Sequence, residues 1–154
     1  MNALRDQGLE TIGMTTNGIA LKRKLSALKT HGLDHLNISL DTLDPLQFQL
    51  MTRRNGLDKV LGSIQQALEL GYTRIKLNVV VIKGVNEAQL TKFVELTRRL
   101  PVYVRFIEYM PFGGIITFRI SYCYRKCMEW VEIFGLQGYA GAYSIRLPTS
   151  SKGL

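Results

Sequence analysis

The sequence predicts an α/β protein, a segment of a β/α barrel of TIM-like architecture, and three observations carry that prediction. β-rich runs alternate with amphipathic helical stretches from residue 9 to 112. The repeated strand–helix–strand order implies parallel pairing through right-handed crossovers. The strands are polar on one parity only, whereas a doubly wound sheet, covered by helices on both sides, favours apolar residues on each face. In Leu36-Asn37-Ile38-Ser39-Leu40-Asp41 the even positions are apolar and the odd ones polar, and Lys76-Leu77-Asn78-Val79 repeats the pattern. Glu108 closes the last strand on the side of Phe106. One face thus carries Asn, Ser, Asp, Lys and Glu near the carboxyl ends, as the lumen of a ligand-binding barrel does. Four strands do not close a barrel, so both edges need cover.

The first strand is expected at Thr11 to Thr15, ending in the turn Asn17-Gly18. A helix near 20–30 follows, with Leu21, Leu25 and Leu28 on one face and Gly32 as its stop. The second strand runs from His35 to Leu40, and Asp44-Pro45 opens a short turn of helix as N-cap and first-turn proline. Val60, Leu61, Ile64, Ala67 and Leu68 form the apolar stripe of a helix at 58–70, stopped by Gly71. The third strand is Arg74 to Ile82. A helix at 87–99 is capped by Asn86 with Gln89 completing a capping box, buries Leu90, Phe93, Val94 and Leu100, and is ended by Pro101. The fourth strand is Val102 to Tyr109. Beyond Phe112 the composition changes, and residues 113–154 are expected to form a divergent tail with a helix at 121–134 and loop or disorder elsewhere, Gly135 to Gly141 reading as loop.

Composition excludes several function classes. No apolar run approaches the roughly 20 residues needed to cross a bilayer, and Met1-Asn2-Ala3-Leu4-Arg5-Asp6 is no signal peptide, so an intracellular protein is expected. Cys123 and Cys127 are the whole thiol inventory, which excludes a disulfide scaffold and any three- or four-cysteine metal site within these 154 residues. A net charge of +8 raises nucleic-acid binding, but Lys22-Arg23-Lys24, Arg53-Arg54, Arg98-Arg99 and Arg125-Lys126 are scattered, without a long tract or interleaved aromatics. Solvated helix faces account for them first, and attraction to a polyanionic small substrate such as a nucleotide second. No nucleic-acid or membrane partner is expected.

Four strings occur in order along the strands: Thr15-Thr16-Asn17-Gly18, Asn37-Ile38-Ser39-Leu40-Asp41-Thr42, Ile75-Lys76-Leu77-Asn78 and Val104-Arg105-Phe106-Ile107-Glu108-Tyr109-Met110-Pro111-Phe112. Their order and spacing over residues 1–112 resemble the radical S-adenosylmethionine GTP 3′,8-cyclases of molybdenum-cofactor biosynthesis. The Glu-Tyr-Met-Pro-Phe ending is most similar to the eukaryotic members. The resemblance implies an incomplete barrel of the radical S-adenosylmethionine type. It implies a reaction that converts GTP to (8S)-3′,8-cyclo-7,8-dihydroguanosine 5′-triphosphate, with S-adenosylmethionine and 4Fe-4S clusters as cofactors. By the same resemblance Thr15 and Lys76 contact GTP, while Ser39 and Met110 bind S-adenosylmethionine. A eukaryotic member would sit in the mitochondrial matrix or the cytosol, although no targeting segment is visible.

Each of these residues also has a plainer reading. Thr15 is a strand-end turn residue, Ser39 and Asp41 cap the next helix, Lys76 pairs with Glu108, and Met110 fills a core. His31 sits beside a helix C-terminus, where its charge suits the dipole.

The family's CxxxCxxC motif, its Gly-Gly-Glu-Pro-type motif, its second set of three cysteines and its GTP-binding arginines are all missing from this sequence. Cys123 and Cys127 have CxxxC spacing, but no third cysteine follows, so no metal ligand and no catalytic residue is assigned. The chain alone is therefore expected to be inactive. The other reading is a non-catalytic nucleotide-binding module, or one that forms a homodimer or pairs its open edges with a full-length cyclase.

Overall fold

A computed structural model describes residues 5–109, 137–139 and 142–145. The chain divides into two compact units, Met1–Leu77 and Asn78–Leu154, and the division falls inside the third strand.

The first unit holds β1 (Gly13–Thr16), α1 (Leu25–Thr30), β2 (His35–Ser39), α2 (Pro45–Thr52), α3 (Leu57–Glu69) and the start of β3 (Arg74–Val81). β1 and β2 pair in parallel as the connection rule requires, with Gly13 opposite His35 and Thr15 opposite Asn37. Alternation sorts β2 as expected: Leu36, Ile38 and Leu40 are buried, while Asn37 is half-buried and Ser39 exposed. In β3, Ile75 and Leu77 are likewise buried and Lys76 half-buried.

Helix chemistry decides the connections. Asp44 caps α2, its carboxylate accepting from the Gln47 backbone N–H at 2.8 Å, and Pro45 occupies the first turn. The helix then runs eight residues, longer than the single turn expected. Both α1 and α3 end on the same closing turn, in which Leu33 N–H reaches Leu28 O at 3.0 Å and Tyr72 N–H reaches Ala67 O at 3.0 Å. Along α3, Val60, Ile64 and Ala67 are buried, but Leu61, expected in the apolar stripe, is exposed.

The helix expected near 20–30 is regular only from Leu25. The preceding backbone is drawn elsewhere: Leu21 N–H bonds Gly18 O, Lys24 N–H bonds Leu21 O, and Lys22 N–H goes to the Ser63 hydroxyl at 3.1 Å. Ser63 is fully buried on α3 and donates to Gly18 O at 2.8 Å, so one hydroxyl ties the loop after β1 to that helix. Gly18 itself has φ +76°, and a β-carbon there would lie 3.0 Å from Val60 and 3.1 Å from Ile38.

At the opposite end of the strands, Arg5 donates to Asp34 Oδ2 at 2.5 Å and to Gly32 O at 2.9 Å, while Ile12 N–H donates to the same carboxylate oxygen at 2.8 Å. The Ile12 amide first, and the guanidinium of Arg5 with it, hold the Asp34 carboxyl below its usual range. His31 lies at the C-terminus of α1, its Nδ1 2.6 Å from Ala27 O, where the dipole suits it.

The second unit holds the end of β3, a 3₁₀ turn (Glu87–Gln89), α4 (Leu90–Arg99) and β4 (Tyr103–Glu108). Asn86 precedes the turn but makes no capping bond. Its side chain instead accepts from Ile82 N–H and donates to Val80 O, both at 2.8 Å, so it closes the loop after β3 and the expected capping box does not form. Phe93 is fully buried and meets Phe106 edge-on, with ring centroids 6.3 Å apart. Leu100 is extended ahead of Pro101, which ends α4 as expected.

Two further strands, β5 (Gln137–Tyr139) and β6 (Ala142–Ile145), replace the loop expected for most of this stretch. β6 pairs antiparallel with β4, Phe106 opposite Tyr143, and β5 pairs antiparallel with β6. The helix expected at 121–134, Cys123, Cys127 and Met110 lie outside the described residues.

Candidate functional site

The carboxyl ends of β1 and β2 and the segments that follow them enclose a cleft of about 340 Å³, within the range typical of small-molecule sites. Its polar lining comes from Asn17, Ser39, Asp41, Thr42, Thr52 and Arg54, and its apolar wall from Ile19, Phe48 and Met51. The turn after β1 delivers Asn17, whose Oδ1 accepts from Ile19 N–H at 3.2 Å. The turn after β2 delivers Thr42, whose hydroxyl donates to Gln47 Oε1 at 2.7 Å. Because Asp44 is the cap of α2, Ser39 is not, and its exposed hydroxyl stands on the cleft.

The other expected residues are placed differently. Thr15 is exposed one strand over, its hydroxyl accepting from Asn37 Nδ2 at 3.5 Å, and it does not line the cleft. Lys76 is half-buried on the face of β3 opposite Ile75 and Leu77, outside the cleft lining, with Asn78 two residues on along the same face. Among the described residues Asn78 Oδ1 is buried without a hydrogen-bond partner.

Glu108 corrects the sequence reading. Phe106 packs on Phe93 of α4, so the even residues of β4 face that helix, and Glu108 shares their parity. The face opposite α4 carries Tyr103, Arg105 and Ile107 instead. Among the described residues Glu108 Oε1 is buried without a hydrogen-bond partner, and burial raises the carboxyl above its usual range. Among the described residues neither Lys76 nor Glu108 takes part in an ion pair.

Residues 1–97 match the radical SAM superfamily. The chain belongs to that superfamily. It is 55% identical over 108 residues to GTP 3′,8-cyclase, mitochondrial, of Arabidopsis thaliana, covering 70% of this chain and 28% of that protein. It is 54% identical over 129 residues to molybdenum cofactor biosynthesis protein 1 of Homo sapiens, covering 83% and 20%. With GTP 3′,8-cyclase of Limosilactobacillus fermentum the identity is 36% over 165 aligned positions, covering 94% and 50%. These values bear out the resemblance to GTP 3′,8-cyclases read from the four strand strings.

The chain spans at most half the length of these relatives. The structure of TYW1 with a lysine-pyruvate adduct bound superposes with a TM-score of 0.66 at 16% identity, covering 94% of this chain and 49% of that one. Coproporphyrinogen III oxidase (HemN) from Escherichia coli, described as a radical SAM enzyme, gives 0.62 at 14%, covering 88% and 35%. Both support the fold, a partial TIM-like barrel of the radical SAM superfamily. Among the described residues no helix is long and apolar enough to cross a membrane.

Sequence reasoning missed most of the cleft. Asn17 stood in a quoted string without a role, and Arg53-Arg54 was read as a solvated face. The turn signal Asn55-Gly56 directly after the two arginines was the available clue that they end a helix rather than decorate its middle.

Proposed function

We propose that this chain is a wall segment of a GTP 3′,8-cyclase of molybdenum-cofactor biosynthesis, that it binds GTP through Thr15 and Lys76, and that alone it does not turn over. On this reading residues 1–112 form the barrel segment, residues 113–154 are a divergent tail, and the protein is intracellular, in the mitochondrial matrix or the cytosol. A full-length cyclase, or a second copy of this chain, covers the open edge of β1, the edge of β4 being taken already by β6.

The observation that carries the nucleotide reading is Lys76. Lys76 is a half-buried residue without a carboxylate partner among the described residues, and a point charge so placed suits an anionic ligand. Its place on the strand face away from the core leaves it open to one.

The superfamily implies S-adenosylmethionine and an iron–sulfur cluster, and the described residues fit these two groups differently. The cleft, with the exposed Ser39 hydroxyl among amide, hydroxyl, carboxylate and guanidinium groups, fits the polar end of S-adenosylmethionine. Ser39 would hold it, with Met110 at the adenine. The described residues contain no cysteine, so they do not fit a cluster. With a cluster, S-adenosylmethionine supplies a radical that abstracts hydrogen. This chain's own residues position ligands and exclude water.

Calorimetric titration of GTP into the 154-residue chain and into Lys76→Ala tests the proposal. Saturable binding is expected, weakened about 10-fold or more by the substitution, in line with the loss of a charge-assisted contact. Guanosine should be insensitive to it. Equal GTP binding by both proteins would remove Lys76 from the site.

A further inference from the structure

The side of α2 turned away from the cleft has a composition that the cleft does not explain. Leu46 and Leu50 are 73% and 81% exposed, the two most exposed large hydrophobic side chains among the described residues. With Gln49 and Arg53 they line a groove, and their i, i+3, i+4, i+7 spacing puts all four on one helix face, apart from the buried Phe48. Arg53 ends the helix at φ 56°, the one positive φ among the described non-glycine residues, in the left-handed region where glycine or asparagine is usual. Thr52 fixes that reversal, its hydroxyl accepting from Arg54 N–H at 3.3 Å and donating to Phe48 O at 2.7 Å. The turn sends Arg54 to the cleft and leaves Arg53 beside the two leucines, and among the described residues Arg53 takes part in no ion pair.

We propose that this face docks an amphipathic helix of a partner protein, whose apolar side chains pack on Leu46 and Leu50 and whose glutamate or aspartate meets Arg53. Leucines at i and i+4 along an eight-residue helix, about 12 Å long, present the ridge against which a second helix packs. Charge sets the sign of the partner. The groove lining contains no carboxylate, so two copies joined by this face about a two-fold axis would each leave a guanidinium unpaired, and at +8 the copies also repel. A membrane surface fits less well, because one arginine beside two leucines falls short of the several cations and the apolar area that hold a helix at a bilayer. Capping alone favours glycine at φ 56°, whereas an arginine there supplies a guanidinium fork for a carboxylate.

Fluorescence anisotropy tests this on the 154-residue chain with two labelled helical peptides of about 15 residues. One carries leucines at i, i+3, i+4 and i+7 flanked by glutamates, and its twin has lysines for the glutamates. The acidic peptide should bind saturably, and the lysine twin at least about 10-fold more weakly. Leu50→Gln should weaken the acidic peptide about 10-fold. Arg53→Gly should abolish the preference between the peptides with the urea midpoint unchanged or higher, since glycine adopts φ 56° freely, a combination that loss of structure does not produce. Equal affinity for the two peptides, binding of neither, or full binding by Leu50→Gln would overturn the proposal. Self-association of the chain in sedimentation, or flotation with phosphatidylcholine–phosphatidylserine vesicles, that is lost in Leu50→Gln would assign the face to a second copy or to a membrane and overturn it.

Discussion

Gly18→Val is expected to destabilise the protein by about 3–5 kcal/mol, a large fraction of the roughly 5–15 kcal/mol that holds a typical domain. Two effects add. Valine at φ +76° is held in a conformation that its branched side chain resists. Its β-carbon would also sit 3.0 Å from Val60 and 3.1 Å from Ile38, both fully buried and unable to retreat without opening the core. The strain reaches the site, because Gly18 follows Asn17 and its carbonyl is the acceptor for Ser63. Urea denaturation checks this: the midpoint should fall steeply, with Gly18→Ala intermediate. A valine variant as stable as wild type would mean that the turn after β1 is not held as described.

Phe93→Ala is expected to cost about 3–5 kcal/mol, the range for truncating a fully buried aromatic. Phe93 is the edge-on partner of Phe106 and anchors α4 on β4, so the loss combines transfer, cavity and ring–ring terms. Phe93→Leu, which fills most of the space, should recover more than half of it. Thermal or urea unfolding reads both variants. A loss below about 1 kcal/mol for alanine would contradict the packing of α4 on this strand.

The strands were legible because burial imposes a period of two, which survives in Leu36, Ile38 and Leu40 or in Ile75, Leu77 and Val79 whatever happens further along the chain. Asp44-Pro45 and the glycine stops at Gly32 and Gly71 were legible for a similar reason, since each acts within a few residues of itself.

What the sequence hid depends on distant partners. Lys22 N–H bonds Ser63, forty-one residues away, and nothing local signals that the helix begins later for it. Asn86 has the right spacing for a capping box, yet Val80 O and Ile82 N–H compete for its amide and win. β5 and β6 are only three and four residues long, and β6 owes its order to pairing with β4, so no periodicity announces them. Glu108 was assigned to the ligand-bearing face because alternation alone does not say which parity of a strand faces the helix. Phe93 decides that. In the cleft, Ser39 was read correctly as a residue pointing away from the core, while Arg54 arrives through a left-handed residue that no composition rule anticipates.

The central claim, a cyclase wall that holds ligands without carrying the radical chemistry, is tested most directly by anaerobic iron–sulfur reconstitution of the 154-residue chain. Iron content, S-adenosylmethionine cleavage and GTP turnover are read on the same sample. With Cys123 and Cys127 as the only thiols, the expected result is no stable 4Fe-4S cluster, no 5′-deoxyadenosine and no cyclic product. A reconstituted cluster with GTP turnover from the chain alone would contradict the account.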